Sequence, residues 1–128
     1  MTVQLNHTIV QSTDKKVSAE FLAGLLGLEV QPQFGPFLPV VVGNDVTLDF
    51  ADAGDRTITP QHYAFLVSED EFDAIFGRIQ EAGLTYWADP YRHRPGEINH
   101  NDGGRGVYWA DPDDHALEII TRPYGSGS

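Results

Sequence analysis

Gln61-His-Tyr-Ala-Phe-Leu-Val67 runs into Ser68-Glu-Asp-Glu71 and then into Phe72-Asp-Ala-Ile75-Phe76-Gly-Arg-Ile79, and this stretch decides how the rest of the chain is read. Its first seven residues predict a strand over 61–67. Ser68 and Glu71 have the spacing of a capping box, in which a serine hydroxyl accepts from a backbone N–H and the glutamate reaches back to the serine's own N–H. Phe72, Ile75, Phe76 and Ile79 recur at i, i+3, i+4 and i+7, which is one face of a helix. Gly83 closes it. Further strands are predicted near 84–88, 106–110 and 115–121, with Asp111-Pro-Asp-Asp114 as the turn before the last.

Outward from there, the first half of the chain has the same plan. Residues 3–10 alternate apolar and polar side chains and predict a strand. Ser12-Thr13-Asp14 offers a helix N-cap. Val17, Phe21, Leu22, Leu25 and Leu26 then form an apolar stripe, and Gly27 supplies the cap. Strands are predicted over 28–34, 38–42 and 46–50, separated by Pro/Gly and Gly-Asn-Asp turns. His7 precedes Gly27 by 20 residues and His62 precedes Gly83 by 21. Each half therefore reads β-α-β-β-β, with a His on its first strand and an acid, Asp49 or Glu118, on its last. The expectation is one α+β domain over 1–122, made of a module over about 1–58 and another over about 59–122. The tail 123–128 is expected to be flexible.

Composition narrows the function. The chain has 128 residues, 41% apolar and 21% charged, as an ordinary globular domain does. Nineteen acids against eight Lys and Arg give a net charge of −11, which repels phosphate backbones and anionic headgroups. Nucleic acid and membrane are not expected partners. Without cysteine there is no disulfide framework, thiolate zinc site or thiol nucleophile. The N-terminus lacks the basic and apolar regions of a signal peptide, so a cytoplasmic location is expected. The apolar runs at 37–42 and 63–67 are far short of the ~20 residues that span a bilayer.

His7, His62 and Glu118 form the candidate constellation. Two imidazoles and a carboxylate can bind a divalent first-row metal on one face and leave other positions open. If the modules pair about a pseudo-two-fold axis, these three and Asp49 point to one place. A lone strand His is more often a hydrogen-bonded core residue than a ligand. The repetition of a ligand type in both halves is what favours the metal.

Leu5-Asn-His7-Thr-Ile, followed by Phe21-Leu-Ala-Gly-Leu-Leu-Gly27, resembles the opening of the vicinal oxygen chelate proteins, the glyoxalase, bleomycin-resistance and extradiol-dioxygenase superfamily. Arg105-Gly-Val-Tyr-Trp-Ala-Asp111-Pro-Asp-Asp-His-Ala-Leu-Glu118 resembles their closing strand pair. The resemblance spans residues 3–122. It implies two βαβββ modules in a U-shaped mixed sheet around a cavity, a metal (Fe2+, Mn2+, Ni2+ or Zn2+) on His7, His62 and Glu118, and a homodimer. Asp49 stands where four-ligand members carry Glu or Gln. It is either a fourth ligand or, being one methylene shorter, a water-bridged neighbour.

The fosfomycin thiol-transferase branch fits poorly: its Thr two residues after the first His is Ile9 here, and Gly96–Arg105 has no Lys or Ser. Arg92, Arg94 and Arg105, with His93 and His100, either form an electropositive lid for an anionic or enol-forming substrate or pair with Asp89, Glu97 and Asp102. Tyr108 either donates a proton or hydrogen bond to the reacting oxygen or fills the pocket wall. Two functions remain open: a metal-dependent enzyme on a small oxygen-rich molecule, dioxygenase-like or isomerase-like, with Glu118 and Tyr108 catalytic and Arg92, Arg105 and Tyr108 contacting substrate; or a protein that sequesters an aromatic ligand.

Overall fold

The computed structural model describes residues 2–127, which divide into two compact units, one ending at Thr59 and the other beginning at Pro60. The architecture is α+β, with one mixed sheet in each unit.

In the first unit, β1 (His7–Ser12) lies parallel to β3 (Thr47–Asp52), which pairs antiparallel with β2 (Leu38–Val41). Helix α1 (Lys15–Leu26) connects β1 to the rest of the sheet. Asp14 caps it by accepting from the Lys16 and Val17 amides, and Gly27 ends it in the left-handed region at φ 73°. Val10, Leu48, Phe50 and Val40 are buried, as are Ala19, Leu22, Ala23 and Leu25 of the helix. The period of two in a strand puts His7, Ile9, Gln11, Asp49 and Ala51 on the opposite face of the sheet.

The second unit repeats the plan with one strand more. β4 (His62–Leu66) lies parallel to β7 (Ala116–Ile120), followed across the sheet by β6 (Gly106–Ala110) and the two-residue β5 (Tyr86–Trp87). Helix α2 (Glu69–Glu81) starts at the expected capping box. Ser68 Oγ accepts from the Glu71 amide at 3.1 Å, and Glu71 accepts from the Ser68 amide at 2.8 Å. Phe72, Ile75 and Ile79 are buried, and Phe76 meets Tyr86 edge-on at 5.0 Å. Tyr86 pairs with Trp109. The helix therefore covers the face that carries Trp109, Leu117 and Ile119, and His62, Glu118 and Tyr108 fall on the other.

Several sequence expectations give way. The strand expected over 3–10 begins only at His7, and Val3 and Leu5 are exposed, because β3 offers its first pairing position at Thr47. The strand expected over 28–34 shrinks to isolated bridges, Val30 to Val40 and Phe34 to Phe37. Pro32 interrupts the donor series there, and the chain reverses at Gly35-Pro36. In α1 the buried stripe is rotated. Val17 is exposed and the small Ser18 and Ala19 are buried in its place. Within 123–127 the Gly125 and Gly127 amides both donate to Asp102 Oδ1. Ser128 lies outside the described residues. Asp114 adopts the left-handed conformation at φ 66°.

Candidate functional site

The register places each acid relative to its histidine. In the second unit His62 pairs with Ala116 and Ala64 with Glu118, so Glu118 is the diagonal neighbour of His62 on one face. In the first unit His7 pairs with Thr47 and Ile9 with Asp49, so Asp49 holds the same relation to His7. Tyr108 sits directly across β7 from Glu118, and Pro39 holds the matching position beside Asp49.

Glu118 is fully buried, and both its oxygens are engaged. His62 Nε2 stands 3.0 Å from Oε1. The Tyr124 hydroxyl donates to Oε2. His62 Nδ1 lies 3.1 Å from the Ala116 carbonyl. A carbonyl only accepts, so Nδ1 carries a hydrogen and Nε2 is the nitrogen that can act as a ligand. Nε2 faces Oε1. His7 has the same tautomer, because Nδ1 donates to Asn6 Oδ1 at 2.8 Å. The imidazole of His62 is also held against the Tyr108 ring, with centroids 5.9 Å apart.

Tyr124 gives its only proton to Glu118, so Tyr108 donates to the Tyr124 oxygen, at 2.9 Å. The result is a chain of donors from Tyr108 through Tyr124 to the buried carboxylate. Burial, then its bonds with Tyr124 and Glu118, push the Tyr108 phenol far above its ordinary pKa. Burial and the Glu118 bond raise Tyr124 as well. Both phenols are therefore neutral donors at physiological pH. Tyr124 was beyond the reach of the sequence argument, because it lies in the segment set aside as a tail and nothing local signals its contact with β7.

A second polar cluster aligns β4 and β7. His115 is fully buried, and its Nδ1 accepts from the Gln61 amide at 2.9 Å. Asp111 Oδ1 accepts from the amides of Asp113 and His115, both at 2.9 Å. Burial raises the Asp111 carboxyl despite these donors. Together they hold the strand beginning at Ala116 in register with the one beginning at His62.

The arginines of residues 92–105 are each matched to carboxylates. Arg92 pairs with Asp114 at 2.6 Å and lies over the Trp87 ring at 4.7 Å. Arg94 pairs with Glu97 at 3.2 Å. Arg105 bonds Glu69 and Asp73, both at 2.8 Å, and covers the Phe72 ring at 4.4 Å. These contacts raise the Arg105 pKa and fasten its strand to the first turns of α2. Of the acids expected as partners, Asp89 instead organises backbone. Burial opposes its charge, but the His93 and Arg94 amides draw its carboxyl below the usual range. Asn99 is buried against Gly106, where a Cβ would meet Asn99 Oδ1 at 2.8 Å, so that position requires glycine.

Of the candidate ligands, His62 and Glu118 stand together, and both are residue types that bind divalent metals. His62 has its Nδ1 fixed on a carbonyl and its Nε2 aimed at a buried carboxylate, the arrangement that orients a metal-binding histidine. His62 and Glu118 are the residues that would hold such an ion. Among the described residues no group of three His, Asp or Glu side chains stands together as a complete set.

The chain belongs to the glyoxalase/bleomycin resistance protein/dioxygenase superfamily, whose family model matches residues 4–119. Among solved structures it is similar to one described as oxidase ChaP-H2, at 73% identity over the whole of both chains with a TM-score of 0.97. It is also similar to oxidase ChaP-H1, at 64% identity over 97% of this chain and 99% of that one, with a TM-score of 0.94. Among curated proteins it is 28% identical to glutathione transferase FosA of Serratia marcescens, over 93% of this chain and 81% of that protein.

Proposed function

We propose that this protein is an oxidase-type enzyme of its superfamily, acting on a small oxygen-rich molecule with a divalent metal held by His62, Glu118 and His7. The observation that carries the proposal is the buried Glu118 carboxylate facing the Nε2 of a histidine whose Nδ1 is already committed to Ala116. The likeness to two proteins named oxidases favours oxygen chemistry over isomerisation. Bound there, Fe2+, Mn2+, Ni2+ or Zn2+ would supply Lewis-acid polarisation of adjacent substrate oxygens, and a redox-active ion would also supply electrons to O₂.

The chain's own residues do the rest. Tyr124 donates to Oε2, which leaves Oε1 as the oxygen directed at His62. Tyr108 holds Tyr124 in that role and fixes the His62 ring plane. Ala64, opposite Glu118 in the sheet, presents only a methyl group and leaves room beside the carboxylate. Asp49 is the first-module counterpart of Glu118, and its shorter side chain favours a bridging role over direct ligation. A homodimer belongs to the same reading, since both sheets have open edge strands. Light scattering at micromolar concentration that gives a monomer would argue against it. No helix among the described residues is long and apolar enough to cross a membrane.

The test is oxygen consumption across a panel of catechols, hydroxyquinones and 1,2-dicarbonyls, with protein purified without chelator and then with each metal restored. Metal-dependent oxygen uptake supports the proposal. Clearly substoichiometric metal, with no activation on adding any of the four ions, argues for sequestration. Oxygen uptake that survives metal removal would keep the oxidase and reject the metal.

A further inference from the structure

The first unit carries a cleft of about 310 Å³ on the sheet face that bears His7 and Asp49. That is at the small end of the ~300–1,000 Å³ of ordinary ligand pockets, about right for one or two fused rings. Ile9 and Ala51 form its floor and Phe37 one wall, so the interior is apolar with an aromatic face. Its polar groups are Gln11, Lys15, Asp52 and Arg56. Lys15 Nζ donates to the Pro36 carbonyl at 3.0 Å and lies 3.8 Å from Asp52 Oδ2. Arg56 is different from the arginines of residues 92–105. Its Nε donates to the Ala53 carbonyl at 3.1 Å and its Nη2 to Gln11 Oε1 at 3.3 Å, both neutral acceptors.

In a chain with 19 acids and eight Lys and Arg, the Arg56 guanidinium makes these hydrogen bonds, among the described residues, to neutral oxygens. Two cations against one carboxylate leave the cleft one positive charge in excess, beside an apolar floor. Its position adds direction. Ile9 and Gln11 follow His7 on the same face of β1, and two residues of strand advance about 7 Å. A ring seated on Ile9 and Ala51 would thus lie next to His7, with its charged substituent at Arg56.

We propose that this cleft binds the anionic end of a planar aromatic substrate, with Arg56, Lys15 and Gln11 receiving one carboxylate or phenolate oxygen group and Phe37 packing on the ring. The inference rests on the proposed function only for what happens at the other end of the substrate; the binding itself needs no metal.

The experiment uses the full chain in chelator, with 2-naphthoate as a carboxylate probe, 2-naphthol at a pH above its pKa as a phenolate probe, and 2-naphthamide as a neutral probe of the same shape. Amide spectra are followed by NMR. The expected result is that 2-naphthoate, 2-naphtholate or both move the Ile9, Gln11 and Ala51 amides and the Arg56 Nε–H, and bind about tenfold tighter than the amide, the worth of one partly hydrated charge-assisted contact. Arg56→Gln removes that preference and Arg56→Lys keeps most of it, while both retain the parent spectrum elsewhere. Equal affinity for charged and neutral probes, or shifts confined to residues 60–127, overturns the inference. Because metal is chelated throughout, failure of the metal proposal leaves these outcomes unchanged, and failure here leaves metal binding untouched.

Discussion

Replacing Tyr124 by Phe deletes one hydroxyl and two hydrogen bonds, to Glu118 and from Tyr108. A hydrogen bond to a buried charge is worth ~1.5–3 kcal/mol. Tyr124 is 58% exposed, so water can replace part of what it supplies. The expected stability loss is therefore nearer ~1 kcal/mol, a fall in Tm of about 3–5 °C for a domain of this size. If Glu118 ligates a metal, the effect on affinity is larger than the effect on stability, because Oε2 loses the donor that fixes the carboxylate's orientation. Changes of this kind beside a ligand cost about 10–100-fold in metal affinity. Calorimetric titration with Ni2+ or Zn2+ measures the affinity, and thermal melts in chelator measure the stability. Tyr108→Phe leaves the Tyr124–Glu118 bond in place and should weaken metal binding less. A Tyr124→Phe protein with the full stability loss and unchanged metal affinity would refute the reasoning that Glu118 is a ligand held by Tyr124.

Glu118→Gln and His62→Ala should each abolish metal binding by calorimetry, whereas Asp49→Asn should weaken it by about 10–100-fold if the carboxylate bridges through water; loss in Asp49→Asn as complete as in Glu118→Gln would make Asp49 a ligand. Arg105→Ala removes two ion pairs that are largely open to water and a ring contact, so it should lower stability by about 1 kcal/mol and leave KM near the parent value; a KM rise of an order of magnitude with unchanged Tm would instead assign Arg105 to the substrate. The capping bonds from Ser68 hold the Glu71 carboxyl below its ordinary pKa. Its contribution is thus present at neutral pH and is lost as pH falls through that lowered value. Glu71→Gln should accordingly reduce Tm at pH 7 and make no difference at pH 2.5, as read from paired melts.

What the sequence determined by itself was the local and periodic part of the molecule. The capping box at Ser68, the apolar face of α2, the turn at 111–114 and the closing pair 106–110 and 115–121 depend on residues within a few positions of one another. The period of two in a strand places His62 and Glu118, and equally His7 and Asp49, on shared faces once their strands are paired. The repeat of His and acid in both halves could be read for the same reason. Tertiary structure decided whatever depends on which distant segment arrives as partner. β1 begins at His7 because Thr47 is the first residue able to pair with it, and the 28–34 segment yields only bridges because Pro32 and the reversal at Gly35 break its ladder. The arginines of residues 92–105 found their carboxylates on α2 and in the 111–114 turn as well as in their own loop. Tyr124 reached Glu118 because the Gly125 and Gly127 amides bind Asp102, which brings the last residues back to β7. The hydrogen bonds around Glu118 and His62 are set there too, since their partners come from β4, β7 and the C-terminal segment together.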